Sequence, residues 1–569
     1  MIKILYGMKK TLYTVSIIFL LLAGCSTAEK AELVIRNGKV LTVDEYFSVE
    51  EAVAVLDGKI LFTGSNRDIE KYIGPGTELI DADGLTVLPG LIDSHAHLVS
   101  LGDELYNLNI SDCNSFEEIV EKVAARVAVA EPGEWISGGR WDHTEWPSGE
   151  FPVHDRLSAV SPDNPVYLKR VDGNSAFVNK KAMELAGISA DTEDPPGGKI
   201  VRKDNGEPTG ILINQAMNMV KKLAGNDNEE LFREKLALAM ERCVKSGLTS
   251  VHEAGVGTWE IGIMKRMADS GQLTLRINAM LGEQEKPVFE VDDLEEYFRS
   301  NKIESYADDY LCVNRIKLFF DGALGSRGAA FFDDYADDQG NRGLLRISPE
   351  YISEVTRAAL AAGMSVATHC IGIRGNSLCL DAYEEALTGY DNPDHRLRIE
   401  HAQVVREEDI ERFARNGIIP AMQATHCTSD KDMIVDRIGR KRSEYAYAWR
   451  TFIDAGLPVP GGSDFPVESE NPFRGIFAAV TRRLPGEDAS AAFNVEQSMT
   501  REEAIKSYTT WAASAGFQEA VIGSIEPGKW ADFTIIDRDI LTCDAELIPG
   551  TKVIYTIVGG EVKYTAAGR

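Results

Sequence analysis

Short alternating apolar and polar runs open the chain after residue 31 and return at its end. ELVIRNGKVLT and AVAVLDGKILFTGS read as hairpin-like strands around Asn37-Gly38 and Asp57-Gly58, dipeptides that enter tight turns at little steric cost. ADFTIID and TKVIYTIVGGEVKY repeat the texture near the C-terminus, with Gly559-Gly560 as the turn. Strand-rich ends around a long middle predict a composite β-sandwich from residues 31–89 and 515–569.

Between them the pattern changes. Apolar runs at Gly90–Ser94, Leu248–His252, Leu273–Leu281, Val313–Phe320, Met364–His369, Leu397–His401, Ile418–Gln423 and Pro458–Ser463 alternate with amphipathic stretches such as Glu229–Ser246, Pro349–Ala362 and Glu407–Asn416. Eight strands with helices between them predict an α/β fold, a (β/α)8 TIM-like barrel over residues 90–514. A further run, Val166–Val171, falls to an insertion after the first barrel strand, about residues 105–225. Loop-forming DPPGG at Asp194–Gly198 lies within it.

The 569 residues suit one large domain and a smaller one, and 44% hydrophobic residues supply a sizeable core. A net charge of −29 without a dense Lys/Arg run excludes a nucleic-acid partner. The N-terminus is basic at Lys9 and Lys10, apolar from Leu12 to Leu22, and ends in Leu-Ala-Gly-Cys at Cys25. That is a signal peptide, residues 1–25, too short for a comfortable transmembrane helix. Its ending resembles the bacterial lipobox, which implies lipidation of Cys25 as the first mature residue. The expected location is the cell envelope, outer membrane or facing the periplasm, with the lipid as the only membrane contact. The other seven cysteines are dispersed and without a CxxC pair, which does not describe a disulfide framework. Oligomeric state leaves no trace in the pattern.

Candidate chemistry falls at the C-terminal ends of the predicted barrel strands, the face where such barrels carry their sites. His95 and His97 follow the first strand, and an HxH spacing on extended backbone puts both rings on one side. Alone, the motif also fits a packed pair. Lys317 lies late in the fourth strand, where it either snorkels, pairs with Asp321, or is buried with a lowered amine pKa and becomes nucleophilic. His369 ends the fifth strand, His401 the sixth, and Asp464 follows the eighth. Neutral imidazoles suit a borderline metal such as zinc. Asp464 has the chemistry both to bind the ion and to take a proton from an attacking water. Less specific are His426, which follows the seventh strand and is placed to reach substrate, Asp142 beside His143 at a pocket rim, and Arg170 and Arg327 as clamps for an anionic group. His252, beside Glu253, fits packing or support of the ligands.

GLIDSHAHL, IKLFFDGALGS, VATHCIG, RIEHAQ, MQATH, GGSDFPVESENP and GSIEPGKWADFTIID together resemble the amidohydrolase superfamily, and more narrowly its amidohydrolase-3, YtcJ-like branch. GGRWDHTEW, DPPGGKI and GEPTGIL extend the likeness into the insertion. The resemblance implies hydrolysis of non-peptide C–N bonds, amides and N-substituted formamides, in a small-molecule substrate. It assigns His95, His97, His369 and His401 as metal histidines, Asp464 as metal-binding catalytic aspartate, and Lys317 as a carboxylated lysine bridging one or two divalent ions. Two positions depart from the family: Asn174 ends an RxDGH-type motif, and Ile373 replaces the acid of HAIGD. Two other readings stay open on the residues alone. One is lactone or ester hydrolysis or a metal-assisted isomerisation on the same fold, and the other is a non-catalytic binding lipoprotein.

Overall fold

The computed structural model describes residues 29–567, except 147, 148, 172–174, 225–227, 284, 285 and 287. The predicted lipidation site Cys25 and the departure at Asn174 lie outside the described residues. All eight predicted barrel strands form, as Leu91–Ala96, Leu248–Val256, Arg276–Leu281, Leu311–Phe319, Ser365–Cys370, Arg398–His401, Ile419–Gln423 and Gly461–Gly462. Each pairs in parallel with the next. Strands shielded on both faces must be apolar nearly throughout, and every residue of the third, sixth and seventh strands is buried.

Helices occupy the connections where the sequence places caps. Ser348 accepts the Tyr351 N–H ahead of Pro349–Ala361, and Pro349 supplies a first-turn residue with its φ already set. Glu407–Asn416 stops at Gly417, whose left-handed backbone lets its N–H reach back to the last carbonyls. A short antiparallel strand, Ile303–Tyr306, adds to the fourth barrel strand and stands outside the eight.

Closure between the first and last strands is made by side chains and by backbone bonds of the residues that follow them. The Asp464 N–H donates to the His95 carbonyl at 2.8 Å, and the His97 N–H donates to the Phe465 carbonyl at 2.9 Å. The buried Asp93 carboxylate accepts the Ser463 hydroxyl at 2.7 Å and the His95 N–H at 3.1 Å.

Two sheets stand beside the barrel. One, of four strands, holds Lys59–Gly64, Ala52–Leu56, Leu33–Arg36 and Glu78–Asp81 in that order; the other, of six, joins Glu561–Thr565, Val553–Val558 and Phe533–Ile536 to Thr86–Pro89, Lys39–Leu41 and Val49–Glu50. Strands from both chain ends thus share one sheet, and Ile35, Val53, Val87, Phe533 and Ile557 share one apolar cluster. Arg276 of the third barrel strand forks onto Asp532, at 2.7 and 3.0 Å, and ties this layer to the barrel.

The hairpins at Asp57-Gly58 and Gly559-Gly560 form as expected, with positive φ at all four residues. The expected hairpin at Asn37-Gly38 does not form. Leu33–Arg36 and Lys39–Leu41 lie in different sheets, and the turn is a sheet-to-sheet crossing. Alternation recorded the burial of one face of each strand and not its partner, so two adjacent strands of separate sheets carry the same signal as a hairpin. After the first barrel strand, a separate six-stranded sheet contains Ile136–Trp141, Val166–Arg170, Ser175–Val178 and Pro208–Asn214. Val166–Arg170 therefore belongs to the insertion, as its place in the chain implied.

Gly462 sits at the closure. A Cβ there would meet the His95 N at 2.7 Å and the Asp93 Oδ1 at 2.9 Å. Gly462→Ala is expected to push the first and last strands apart and to cost about 1–3 kcal/mol of stability, as overpacking does. A denaturant midpoint equal to that of the unsubstituted protein would show that the closure has slack.

Candidate metal centre

His95 is the last but one residue of the first strand, and His97 is the residue from which helix Leu98–Tyr106 starts. Glu253, from the second strand, is buried and accepts the Leu98 N–H, so a carboxylate holds the helix start that carries His97. Lys317 projects from the fourth strand between Gly255 and Gly282. Gly255 has φ +122°, and a Cβ there would lie 3.3 Å from the Lys317 Cγ. His369 is the last but one residue of its strand, His401 ends its own, and Asp464 lies two residues past the eighth. His401 and Asp464 both adopt left-handed backbone, φ 72° and 60°. Non-glycine residues in that region cost energy and are held there by their surroundings.

These six residues converge on one cavity of about 700 Å³ at the C-terminal mouth of the barrel. The His95 Nε2 lies 3.5 Å from Asp464 Oδ1, and the His97 Nε2 lies 3.1 Å from the same oxygen. The Lys317 Nζ is 3.4 Å from His95 Nε2. The rings of His95 and His401 are 4.7 Å apart between centroids, and those of His369 and His401 are 4.4 Å apart. His426, on helix Ala424–Ile438, completes the ring. Its Nε2 is 3.7 Å from Asp464 Oδ2, and its Nδ1 meets Gln403 Nε2 at 3.1 Å.

Electrostatics match this crowding. Burial, with the Lys317 charge as second cause, lowers His95 to about 4 and His369 to about 3. Burial and the neighbouring imidazoles hold His401 well below its usual range. All three are therefore neutral lone-pair donors at pH 7. Burial also lowers the Lys317 amine to about 8. Burial pushes Asp464 up, but its contact with His97 and the imidazoles that face it outweigh that and hold it well below the carboxylate range.

The donor set fits a cation. His369 Nε2 and Asp464 Oδ1 are buried and make no hydrogen bond within the protein. Orphaned polar atoms of this kind are costly unless something satisfies them. His95, His97 and Asp464 bring three ligand atoms within 4.8 Å of one another, and His401 approaches the same Asp464. The His401 Nδ1 faces Gln423 Oε1 at 2.7 Å, so it donates there and leaves Nε2 for the ion.

The remaining sequence candidates go elsewhere. Arg170 donates to Asp142 at 2.5 Å, within the insertion. Arg327 forks onto Asp337 at 3.1 and 3.0 Å. None of Asp142, Arg170 and Arg327 lines the cavity. Asp321 does not pair with Lys317. It accepts the N–H groups of Ala330, Ile371 and Gly372, each at 2.9 Å, and lies 3.5 Å from His369 Nε2. The N-terminus of helix Ile373–Ala386 thus meets an acid from the loop after the fourth strand, where Ile373 brings none of its own. Sequence reasoning missed Asp321 in this role, Glu253 as a helix cap, and Arg398 and Glu400, all buried. Glu253 is marked by its place within a largely apolar strand, and Arg398 and Glu400 by charges beside His401 in a buried one, whereas Asp321 lies past its strand.

An amidohydrolase family profile matches residues 78–564. The chain is 33% identical to Protein LONG AFTER FAR-RED 3 of Arabidopsis thaliana, over 94% of this chain and 92% of that one. It is 32% identical to the putative amidohydrolase YtcJ of Bacillus subtilis, over 93% and 98%. It is 27% identical to the N-substituted formamide deformylase of Arthrobacter pascens, over 94% and 99%. An uncharacterised metal-dependent hydrolase from Pyrococcus furiosus superposes with a TM-score of 0.73 at 27% identity, covering 90% of this chain and all of that one. With this likeness along nearly its whole length and a cation-fitting donor set at the barrel mouth, the chain belongs to the amidohydrolase family and is a hydrolase with a divalent-metal site.

Proposed function

We propose that the protein hydrolyses non-peptide C–N bonds of amide type, N-substituted formamides among them, in small-molecule substrates. The observation that carries this reading is the ionised Asp464, whose Oδ1 lacks a hydrogen-bond partner, set among neutral histidines at the cavity wall. The relative from Arthrobacter pascens is named for the same class of substrate.

His95, His97, Lys317, His369, His401 and Asp464 would hold one or two ions, with zinc the best match to imidazole and carboxylate donors. A bound ion supplies a lowered water pKa and a polarised carbonyl. The low amine pKa of Lys317 leaves a substantial neutral fraction to add carbon dioxide, forming an N–C bond and releasing a proton. The product is an anion and balances cationic charge in the cavity.

Asp464 takes the proton of the water as its oxygen adds to the carbonyl carbon. It returns that proton to the nitrogen as the C–N bond breaks and the amine departs. His426 contributes through Nε2, which faces the cavity beside Asp464. With Nδ1 accepting from Gln403, Nε2 carries the hydrogen and donates to a substrate oxygen. Leu344 and Val467, both exposed apolar residues, line the same cavity and offer contact to the part of the substrate beyond the amide.

We also propose that the mature chain is tethered in the cell envelope through lipid on Cys25. The lipobox-like ending of the N-terminal segment supports this. Among the described residues no helix is long and apolar enough to cross a membrane.

Asp464→Asn is expected to lower kcat by ~10²–10⁴-fold, the usual contribution of a positioned acid–base group. Turnover at the original rate in a metal-loaded variant would remove Asp464 from the proton path. Metal-stripped protein should be inactive on formamides and acyl-amines and recover with zinc. Turnover of lactones in place of both amide classes would contradict the C–N assignment. Cells fed radiolabelled palmitate should incorporate label into the protein and not into Cys25→Ser; an unlabelled wild-type chain would refute the tether.

A further inference from the structure

Beneath the donor set lies a chain of contacts that no hydrolytic step uses. The Glu400 carboxylate meets His95 Nδ1 through its Oε2, and Arg398 grips the same carboxylate with a fork, Nε to Oε1 at 2.7 Å and Nη2 to Oε2 at 2.8 Å. Arg398 is itself fixed at two further points. Its Nη2 donates to the Ser94 carbonyl at 2.8 Å, and its Nη1 donates to His252 Nδ1 at 3.0 Å. Ser94, His95, His252, Arg398 and Glu400 are all fully buried. The chain thus crosses the barrel interior from the second strand, through the sixth, to the first.

We infer that Glu400, locked by Arg398, is the positioning residue that makes His95 a metal donor through Nε2. The inference rests on the metal-centre reading above. A carboxylate accepts only, so the facing Nδ1 must carry the hydrogen and Nε2 must carry the lone pair. Nε2 is the atom turned toward Asp464 and Lys317. The negative charge opposite Nδ1–H also makes the lone pair a stronger donor. Arg398 supplies what this arrangement requires. A lone carboxylate at this depth would be costly, whereas a forked pair with every hydrogen bond placed is tolerated and geometrically fixed. His401 receives a weaker version of the same support, because Gln423 offers a neutral oxygen.

Glu400→Gln tests this in the full-length chain. One arm of the side chain becomes an N–H donor: in place of Oε2 it removes the acceptor of both His95 Nδ1–H and Arg398 Nη2, and in place of Oε1 it breaks the fork at Arg398 Nε and frees the side chain to turn. Zinc affinity, read by competition with a chelating dye, should weaken ~10–100-fold, the usual effect of removing such a partner. The visible spectrum of the cobalt-loaded variant should shift, because the geometry at His95 changes. A purely structural role would lower the melting temperature and leave both readings in place. Unchanged zinc affinity and cobalt spectrum in a folded Glu400→Gln overturn the inference. Should that variant not fold, Arg398→Lys, which keeps the charge but loses the fork, carries the test. Weakened zinc affinity supports the inference, and affinity equal to wild type overturns it. An unsubstituted chain that binds neither zinc nor cobalt overturns the metal-centre reading itself, and this inference with it.

Discussion

The closure of the barrel between its first and last strands is the constraint on which the site depends. A hydrogen bond from the Asp464 N–H to the His95 carbonyl and one from the His97 N–H to the Phe465 carbonyl bring together residues nearly 370 positions apart. Without that seam Asp464 has no fixed relation to either histidine. The left-handed backbone at Asp464 is the local cost of turning its carboxylate inward directly after the seam. Asp93 reinforces the junction from below by accepting from both Ser463 and His95.

Crowding then sets the chemistry. Imidazoles packed together in a dry space stay neutral, because each proton added would lack water and meet other cations. Burial lowers Lys317 and works against the charge on Asp464, which its contact with His97 and the imidazoles that face it nevertheless keeps ionised. Support reaches this layer from outside it. Glu253 holds the helix behind His97, Asp321 holds the loops beside His369, and Glu400 with Arg398 holds His95. Such partners orient ligands and raise their basicity, and the site's geometry is as much theirs as the ligands' own.

The barrel was legible in the sequence because its strands are buried, mostly apolar runs regularly interrupted by amphipathic helices. The residues that converge at the barrel mouth were legible because imidazoles and carboxylates at the ends of apolar strands are costly to bury unless a ligand or partner satisfies them. Partnership was not legible. The Asn37-Gly38 turn joins strands of different sheets, although its flanks alternate as a hairpin's do. Nor does local pattern separate Asp142, Arg170 and Arg327 from binding residues. Each carries the right chemistry, and the fold shows each paired with another charged side chain and outside the residues that line the cavity. Glu400 sits next to His401 in RIEHAQ and still escaped notice, since its partner His95 lies 305 residues away.

The measurement that bears most directly on the central claim is a crystal structure of the zinc-loaded protein with anomalous data collected at the zinc edge. The account predicts a peak inside the barrel mouth, within coordination distance of His95, His97 and Asp464 or of His369 and His401, or one at each. Fully loaded crystals with no peak there, or with the ion bound only at another position, would contradict it.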